Sequence, residues 1–398
     1  MSLSTLPLSY CTNVHAGLTV QEVLSGLATY TGPVRERLGA PLAAGLWLAQ
    51  PVIDELVRGP EKVSRLRAEL DRLGLTCYTL NAFPYGNFHS ERVKENVYLP
   101  DWTQDSRRTY TENCARVLTQ LMRPGVEGSI STVPLGFKPL STAPEFLDRC
   151  IEQLIAAARA LDAMHDETGQ VVRLAIEPEP CCVLETTPET IAFFERLRAA
   201  ADAVGNGAGE VVRRHIGVCY DVCHQAVEFE GIDASIAALV RAEIRINKVH
   251  ITCAIELDNP ADPDIREELA RFVEPRYLHQ TFARSAEGRI VNILDLTREH
   301  CATPPSDFSG ASAWRIHFHV PVNAHSVGRL RTTRPDLERA LRAVSNLEYA
   351  PHLEVETYTW DVLPSGEKPT LVEGLLLELT ATGVLLGNLR LGNAGLLG

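Results

Sequence analysis

Four short stretches end apolar runs with side chains that ligate metals or move protons. "LAIEPEP" closes on Glu177, with Glu179 two residues on and so on the same strand face. "GVCYDVCHQAV" carries Asp221 on the face of Cys219, and His224 three residues later where a strand should be turning into its loop. "KVHITCA" places His250 where its apolar run gives out, and "HLEVETYTW" sets Glu354 and Glu356 on one face, with Leu353 and Val355 on the other. A carboxylate at the end of an apolar strand is costly to bury unless it is paired or binds a cation. Carboxylates with one or two imidazoles suit a borderline divalent ion such as Mn²⁺, Zn²⁺, Co²⁺ or Fe²⁺, with Mg²⁺ also admissible. Each residue has a plainer reading as well: a salt-bridged glutamate, an aspartate capping a helix, a hydrogen-bonded core histidine. Glu179 competes with Glu177, Glu354 with Glu356, and His319 of "WRIHFHVPV", beside His317, with His250.

Residues so far apart in sequence meet only if an architecture brings strand ends together. Apolar runs at 8–15, 44–50, 75–83, 128–136, 171–180, 215–224, 246–254, 314–322 and 351–360 alternate with segments of helical period, such as 51–74 and 144–165. That alternation predicts parallel strands with crossover helices, and eight units close into a (β/α)8 TIM barrel whose chemistry sits at the C-terminal strand ends. Nine candidates are one too many. The extra one is 314–322, following a Pro-, Asp- and Arg-rich stretch, 255–313, read as an insertion after the seventh strand. The chain is thus expected to be one barrel domain over 1–398, with 314–322 either completing the rim or pairing locally and a last helix at 370–386.

Composition narrows the partners. The 398 residues are 45% hydrophobic with a net charge of -13, which disfavours nucleic acid, since phosphate backbones are held by clustered Lys and Arg. The ten cysteines lack paired CxxC spacing and are expected to be reduced thiols, several of them in the core. No secretory pattern and no long apolar run is evident, so a cytoplasmic protein without membrane insertion is expected. The loop "NAFPYGNFHSERVKENVYLPDW" offers Asn81, Tyr85 and His89, with Phe83, Tyr98 and Trp102, as walls and hydrogen-bonding tips for a small polyol or ring substrate.

The order Glu, Asp-x-x-His, His, Glu over the last four strands resembles the xylose-isomerase-like barrels, which include sugar isomerases, ketose epimerases and the endonuclease IV class. The resemblance implies Glu177, Asp221, His250 and Glu356 as metal ligands, Glu177 and Glu356 as the acid–base pair, and His224 as a second-metal or substrate residue, with His319 also facing substrate. The second and third strands have no histidine pair of the kind endonuclease IV enzymes use for three zinc ions, so a trinuclear cluster is not expected. Over nearly the whole chain, "SYCTNVHAG", "NAFPYGNFH", "VKENVYLPDW", "GSISTVPLG", "IEPEPCCVLET", "HFHVP" and "HLEVETYTWDVLP" resemble the family known as metabolite traffic protein EboE. That resemblance implies work on a cyclitol-like or prenylated metabolite alongside other pathway proteins.

Overall fold

Strands that are covered on both faces read as nearly unbroken apolar runs, and "VRLAI", "IGVCYD" and "INKVHI" do so. In the computed structural model, which describes residues 4–364 and 369–394, they are the fifth to seventh of eight parallel strands. These are β1 (Ser9–Cys11), β2 (Leu42–Trp47), β3 (Thr79–Asn81), β4 (Gly128–Thr132), β5 (Val172–Ile176), β6 (Ile216–Asp221), β7 (Ile246–Ile251) and β8 (His352–Val355). Each pairs with its successor and β8 pairs back to β1, which closes the barrel.

The strands are shorter than the apolar runs. The run 75–83 is interrupted, pairing at Leu75–Thr76 and again in β3. The helix expected over 51–74 breaks into Gln50–Arg58 and Pro60–Arg72, because the residue before a proline is driven out of helical geometry and Gly59 takes a φ of -131°. The helix expected over 144–165 runs Phe146–Thr168 and ends on the left-handed Gly169.

The extra run, 314–322, serves both options read for it. Ala313–Ile316 pairs antiparallel with Thr281–Arg284 and Ile255–Leu257, while residues 317–319 return to the barrel rim, where Val320 N donates to Cys253 O. The antiparallel sheet also takes in Ile290–Ile293, Leu330–Thr332 and Ser326–Val327, so it continues beyond 313 to Thr332.

Inside the barrel, below the rim, the interior is polar and paired. Lys248 Nζ lies 2.6 Å from Glu354 Oε1, with both side chains fully buried, and Ser9 Oγ donates to Glu354 Oε2 at 2.8 Å. Room for this carboxylate depends on Gly45 of β2, where a Cβ would sit 1.5 Å from Glu354 Oε2. Any side chain at position 45 would displace the glutamate.

The last helix runs Leu371–Ala394, longer than read. Its Leu371–Leu389 portion, with a mean hydropathy of 1.3, is long and apolar enough to cross a membrane by length and composition alone. Here it lies along the barrel with Leu375, Leu379 and Leu386 buried. Its one fully buried carboxylate, Glu378, accepts from Val322 N at 3.1 Å, Thr357 Oγ1 at 2.6 Å and Trp360 Nε1 at 2.9 Å, and so ties the helix to both segments that cross the rim. Burial pushes Glu378 up to about 7, against those three donors. A carboxyl raised on folding contributes stability that is complete below its ordinary 4.5 and is lost as pH rises through about 7. Between pH 5 and 8 the wild type is therefore expected to lose up to roughly 3 kcal/mol more stability than Glu378→Gln. Urea denaturation at both pH values checks this, and parallel pH profiles would contradict it.

Candidate metal and acid–base site

The register of the parallel strands decides which polar residues share a level. Asp221 is aligned with His250, His250 with Glu354, and Glu354 with Ser9, so these form one inward row. Glu356 lies two residues beyond Glu354, one layer nearer the rim. Glu177 follows the end of β5, with its N bonded to Thr132 O at 3.1 Å.

The four side chains named for the metal converge. His250 Nδ1 lies 3.0 Å from Glu177 Oε1, 3.3 Å from Glu356 Oε2 and 3.5 Å from Asp221 Oδ2. One donor atom from each of Glu177, Asp221, His250 and Glu356 lies within 4.8 Å of the others, and all four residues are buried. Glu354 does not join them, because its charge is spent on Lys248 one layer below. It instead faces His250 Nε2 at 3.3 Å, the arrangement in which a carboxylate orients a metal-ligating imidazole.

Glu356 and Asp221 are each steered through one oxygen while the other is left toward the cluster. Asn13 Nδ2 and Asn81 Nδ2 donate to Glu356 Oε1 at 2.8 and 2.9 Å. Asp221 Oδ1 accepts from His224 N at 3.2 Å and Thr252 Oγ1 at 2.6 Å, capping the helix Val222–Val227. The plain reading of Asp221 as a helix cap and the ligand reading are thus compatible, one oxygen serving each. Asp221 Oδ2 and Glu177 Oε2 are buried without a hydrogen-bond partner.

The electrostatics follow from three buried carboxylates around one imidazole. Burial alone would lower His250, but Cys219, Glu177 and Glu356 hold it well above its ordinary value. Burial would raise Asp221, yet His224, His319 and His250 hold it well below the carboxylate range. Glu356 is raised, by burial and by Glu177 and Asp221, against the pull of His250 and His319. A pocket with this excess of negative charge and unpartnered oxygens fits a divalent cation, and three oxygens with one nitrogen suit Mg²⁺, Mn²⁺, Zn²⁺, Co²⁺ or Fe²⁺. The thiols are poorer candidates: all ten are buried without disulfides, and burial pushes Cys219 up to about 12.

Next to this cluster lie three imidazoles in matching poses. His224 Nδ1 is 3.0 Å from Pro178 O, His317 Nδ1 2.8 Å from Gln280 Oε1 and His319 Nδ1 2.9 Å from Glu356 O. Since a carbonyl accepts only from N–H, each ring carries its proton on Nδ1 and presents a bare Nε2. Burial lowers all three, which favours the neutral ring, against the pull of Asp221. Glu179 belongs here and not with Glu177. Pro178 turns the chain after β5, Tyr98 OH holds Glu179 Oε1 at 2.7 Å, and Glu179 forms a candidate ligand group with His224 and His317.

The remaining expected residues divide. Asn81 lines the pocket above the cluster, together with His224 and His319. Tyr85 does not: it packs under Arg107, 5.6 Å from ring centre to guanidinium, and edge-on to Tyr110. His89 is also outside, with Nε2 2.8 Å from Asn13 O, where it buttresses the asparagine that holds Glu356. Both lie on the right loop, but it is Phe88, between them, that turns into the pocket. Asn13, Thr252 and Lys248 were overlooked. Only Lys248 left a signal, since a lysine inside "INKVHI" must find a buried partner.

Neither a protein-family model nor a curated protein sequence matches the chain. Solved structures do match over nearly its whole length. L-ribulose 3-epimerase aligns at a TM-score of 0.53 and 12% identity, covering 99% of this chain and 98% of that one. A xylose isomerase-like TIM barrel protein from Mycobacterium smegmatis in complex with magnesium aligns at 0.52 and 12%, covering 98% and 99%. The fold is that of the xylose-isomerase-like (β/α)8 barrels. Such a xylose-isomerase-like barrel hosts many chemistries, so its reaction has to be argued from the site.

Proposed function

We infer that the chain is a metal-dependent isomerase or epimerase of a sugar-, cyclitol- or prenyl-linked small metabolite that carries a carbonyl beside a hydroxyl. The observation that carries this reading is the pair Glu177 and Glu356. They approach His250 Nδ1 at 3.0 and 3.3 Å and line one pocket.

Glu177, Asp221, His250 and Glu356 would hold a divalent ion, which would supply Lewis acidity at the carbonyl. One carboxylate of the pair removes the proton from the carbon next to the carbonyl, and the electron pair moves onto the carbonyl oxygen to give an enediolate. The other carboxyl returns a proton, to the opposite face of the same carbon for epimerisation or, once the hydroxyl proton has passed to the former carbonyl oxygen, to the neighbouring carbon for isomerisation. Asn13 and Asn81 hold Glu356 in place for its share of this transfer. His224 and His319, with Nε2 bare, accept hydrogen bonds from substrate hydroxyls. The magnesium of the Mycobacterium smegmatis barrel supports a hard divalent ion. The EboE resemblance supports a place in a metabolite traffic or biosynthesis pathway with other pathway proteins, and a cytoplasmic location accords with it.

The test is deuterium incorporation from D2O into hydroxycarbonyl sugars and cyclitols by metal-loaded protein. The reading fails if Glu356→Gln retains its metal and exchanges at the wild-type rate.

A second reading, hydrolysis of a phosphoester, is favoured by the donor groups Glu179–His224–His317 and Asp221–His224–His319, either of which fits a second cation beside the first. It requires two ions per chain, and metal analysis returning one would dismiss it. A metabolite-binding or hand-over protein would instead bind a pathway compound tightly and return it unchanged.

A further inference from the structure

The pocket above the cluster has a polar floor and an apolar wall. The floor consists of the carboxylates, asparagines and histidines already described. The wall is built from Phe88, Val93 and Val97 of the loop after β3, Tyr277 and Leu278 of the stretch between β7 and β8, and Tyr358 beyond β8. The polar ends of Lys94, Tyr277 and Tyr98 that reach the wall are spent on the protein. Lys94 contributes its stem, while its Nζ donates to Tyr277 O at 2.6 Å and pairs with Asp295 at 2.8 Å. Tyr277 OH donates to Phe88 O at 3.3 Å, and Tyr98 OH is held between Glu179 and Gln280.

A free sugar or cyclitol carries hydroxyls on every side. Seated on this floor, it would press several of them against hydrocarbon with no partner, at the cost of their lost hydrogen bonds to water. The half-buried aliphatic side chains of Val97 and Leu278 ask for the opposite occupant.

We propose that the substrate joins a polar hydroxycarbonyl head, seated on the Glu177–Glu356 floor, to an aliphatic or aromatic substituent that fills the wall of Phe88, Val93, Val97, Tyr277, Leu278 and Tyr358. This rests on the reading of the floor as a metal site for the head. It selects conjugated metabolites over free pentoses, hexoses and inositols.

Straight-chain hydroxamic acids separate the two layers of the claim, because the hydroxamate mimics the enediolate at a metal while the chain reports the wall. Zinc-loaded full-length protein is titrated by calorimetry with aceto-, butano-, hexano- and octanohydroxamate, and the bound zinc is quantified before and after. Affinity is expected to rise roughly threefold to fourfold per methylene until the wall is filled. In Val97→Ser and Leu278→Ser the ratio of octano- to acetohydroxamate affinity should fall severalfold. Equal affinity along the series, with acetohydroxamate binding, overturns the substituent and leaves the head site standing. So does a chain-length effect that survives in both variants. Failure of acetohydroxamate itself to bind zinc-loaded protein overturns the head site, and this inference with it.

Discussion

Lys248→Met should destabilise the folded chain by about 3–5 kcal/mol, as expected when one partner of a buried ion pair is removed and the other is left in place. Lys248 and Glu354 are both fully buried, 2.6 Å apart, and Gly45 of β2, with β1 between it and β8, packs against the carboxylate. Without the ammonium, Glu354 keeps only Ser9 Oγ and the face of His250. The effect has a sign in pH. Burial would raise Glu354, but Lys248 and His250 hold it at about 2 against an ordinary 4.5. A carboxylate depressed on folding gives stability that is present above 4.5 and is lost as pH falls through about 2. The variant loses this benefit, so the gap between the two proteins should be widest at neutral pH and should narrow in acid. Urea titrations at pH 7.5 and pH 4 measure it. A gap under about 1 kcal/mol at pH 7.5 would mean that the pair behaves like a surface one. Lys248→Met with Glu354→Leu should recover much of the loss, because no charge is then stranded.

Glu356→Gln is the substitution with the largest expected effect on turnover. The amide oxygen can still accept from Asn13 and Asn81, so the side chain stays in place, while the group facing His250 becomes an NH2 that can neither take nor return a proton. Loss of one positioned acid or base is worth about 10²- to 10⁴-fold. Deuterium exchange into substrate should fall by that factor, measured with metal content matched to the wild type. A fall below about tenfold would remove Glu356 from the proton transfers.

How much of this could be read from the chain alone depended on what each residue's neighbours in sequence reveal. The barrel was legible because alternating apolar runs and helical segments leave few other architectures. The four converging residues were legible as a set because each ends a strand, and strand ends meet at one rim. Choosing within the pairs was not. Alternation puts Glu177 and Glu179 on one face, but β5 ends at Ile176 and Pro178 turns Glu179 toward Tyr98 and His317. Glu354 and Glu356 share a face, and only the level of Lys248 on the neighbouring strand separates the partner of the buried ion pair from the residue that joins the cluster. Tyr85 and His89 show the same limit in a loop, where side-chain direction follows turns that periodicity does not report. Tyr277 and Leu278 were beyond reach, since they lie in an irregular stretch whose place over the pocket is set by an antiparallel sheet formed far along the chain.

The central claim is that Glu177, Asp221, His250 and Glu356 hold one divalent ion at the floor of the pocket. Anomalous diffraction at the zinc edge, from crystals of zinc-loaded protein, tests it most directly. The account predicts a peak at roughly 2.0–2.2 Å from one donor atom of each of the four residues, with His250 coordinating through Nδ1. A zinc peak lying only among His224, His317 and His319, or no zinc within bonding distance of the four, would contradict it.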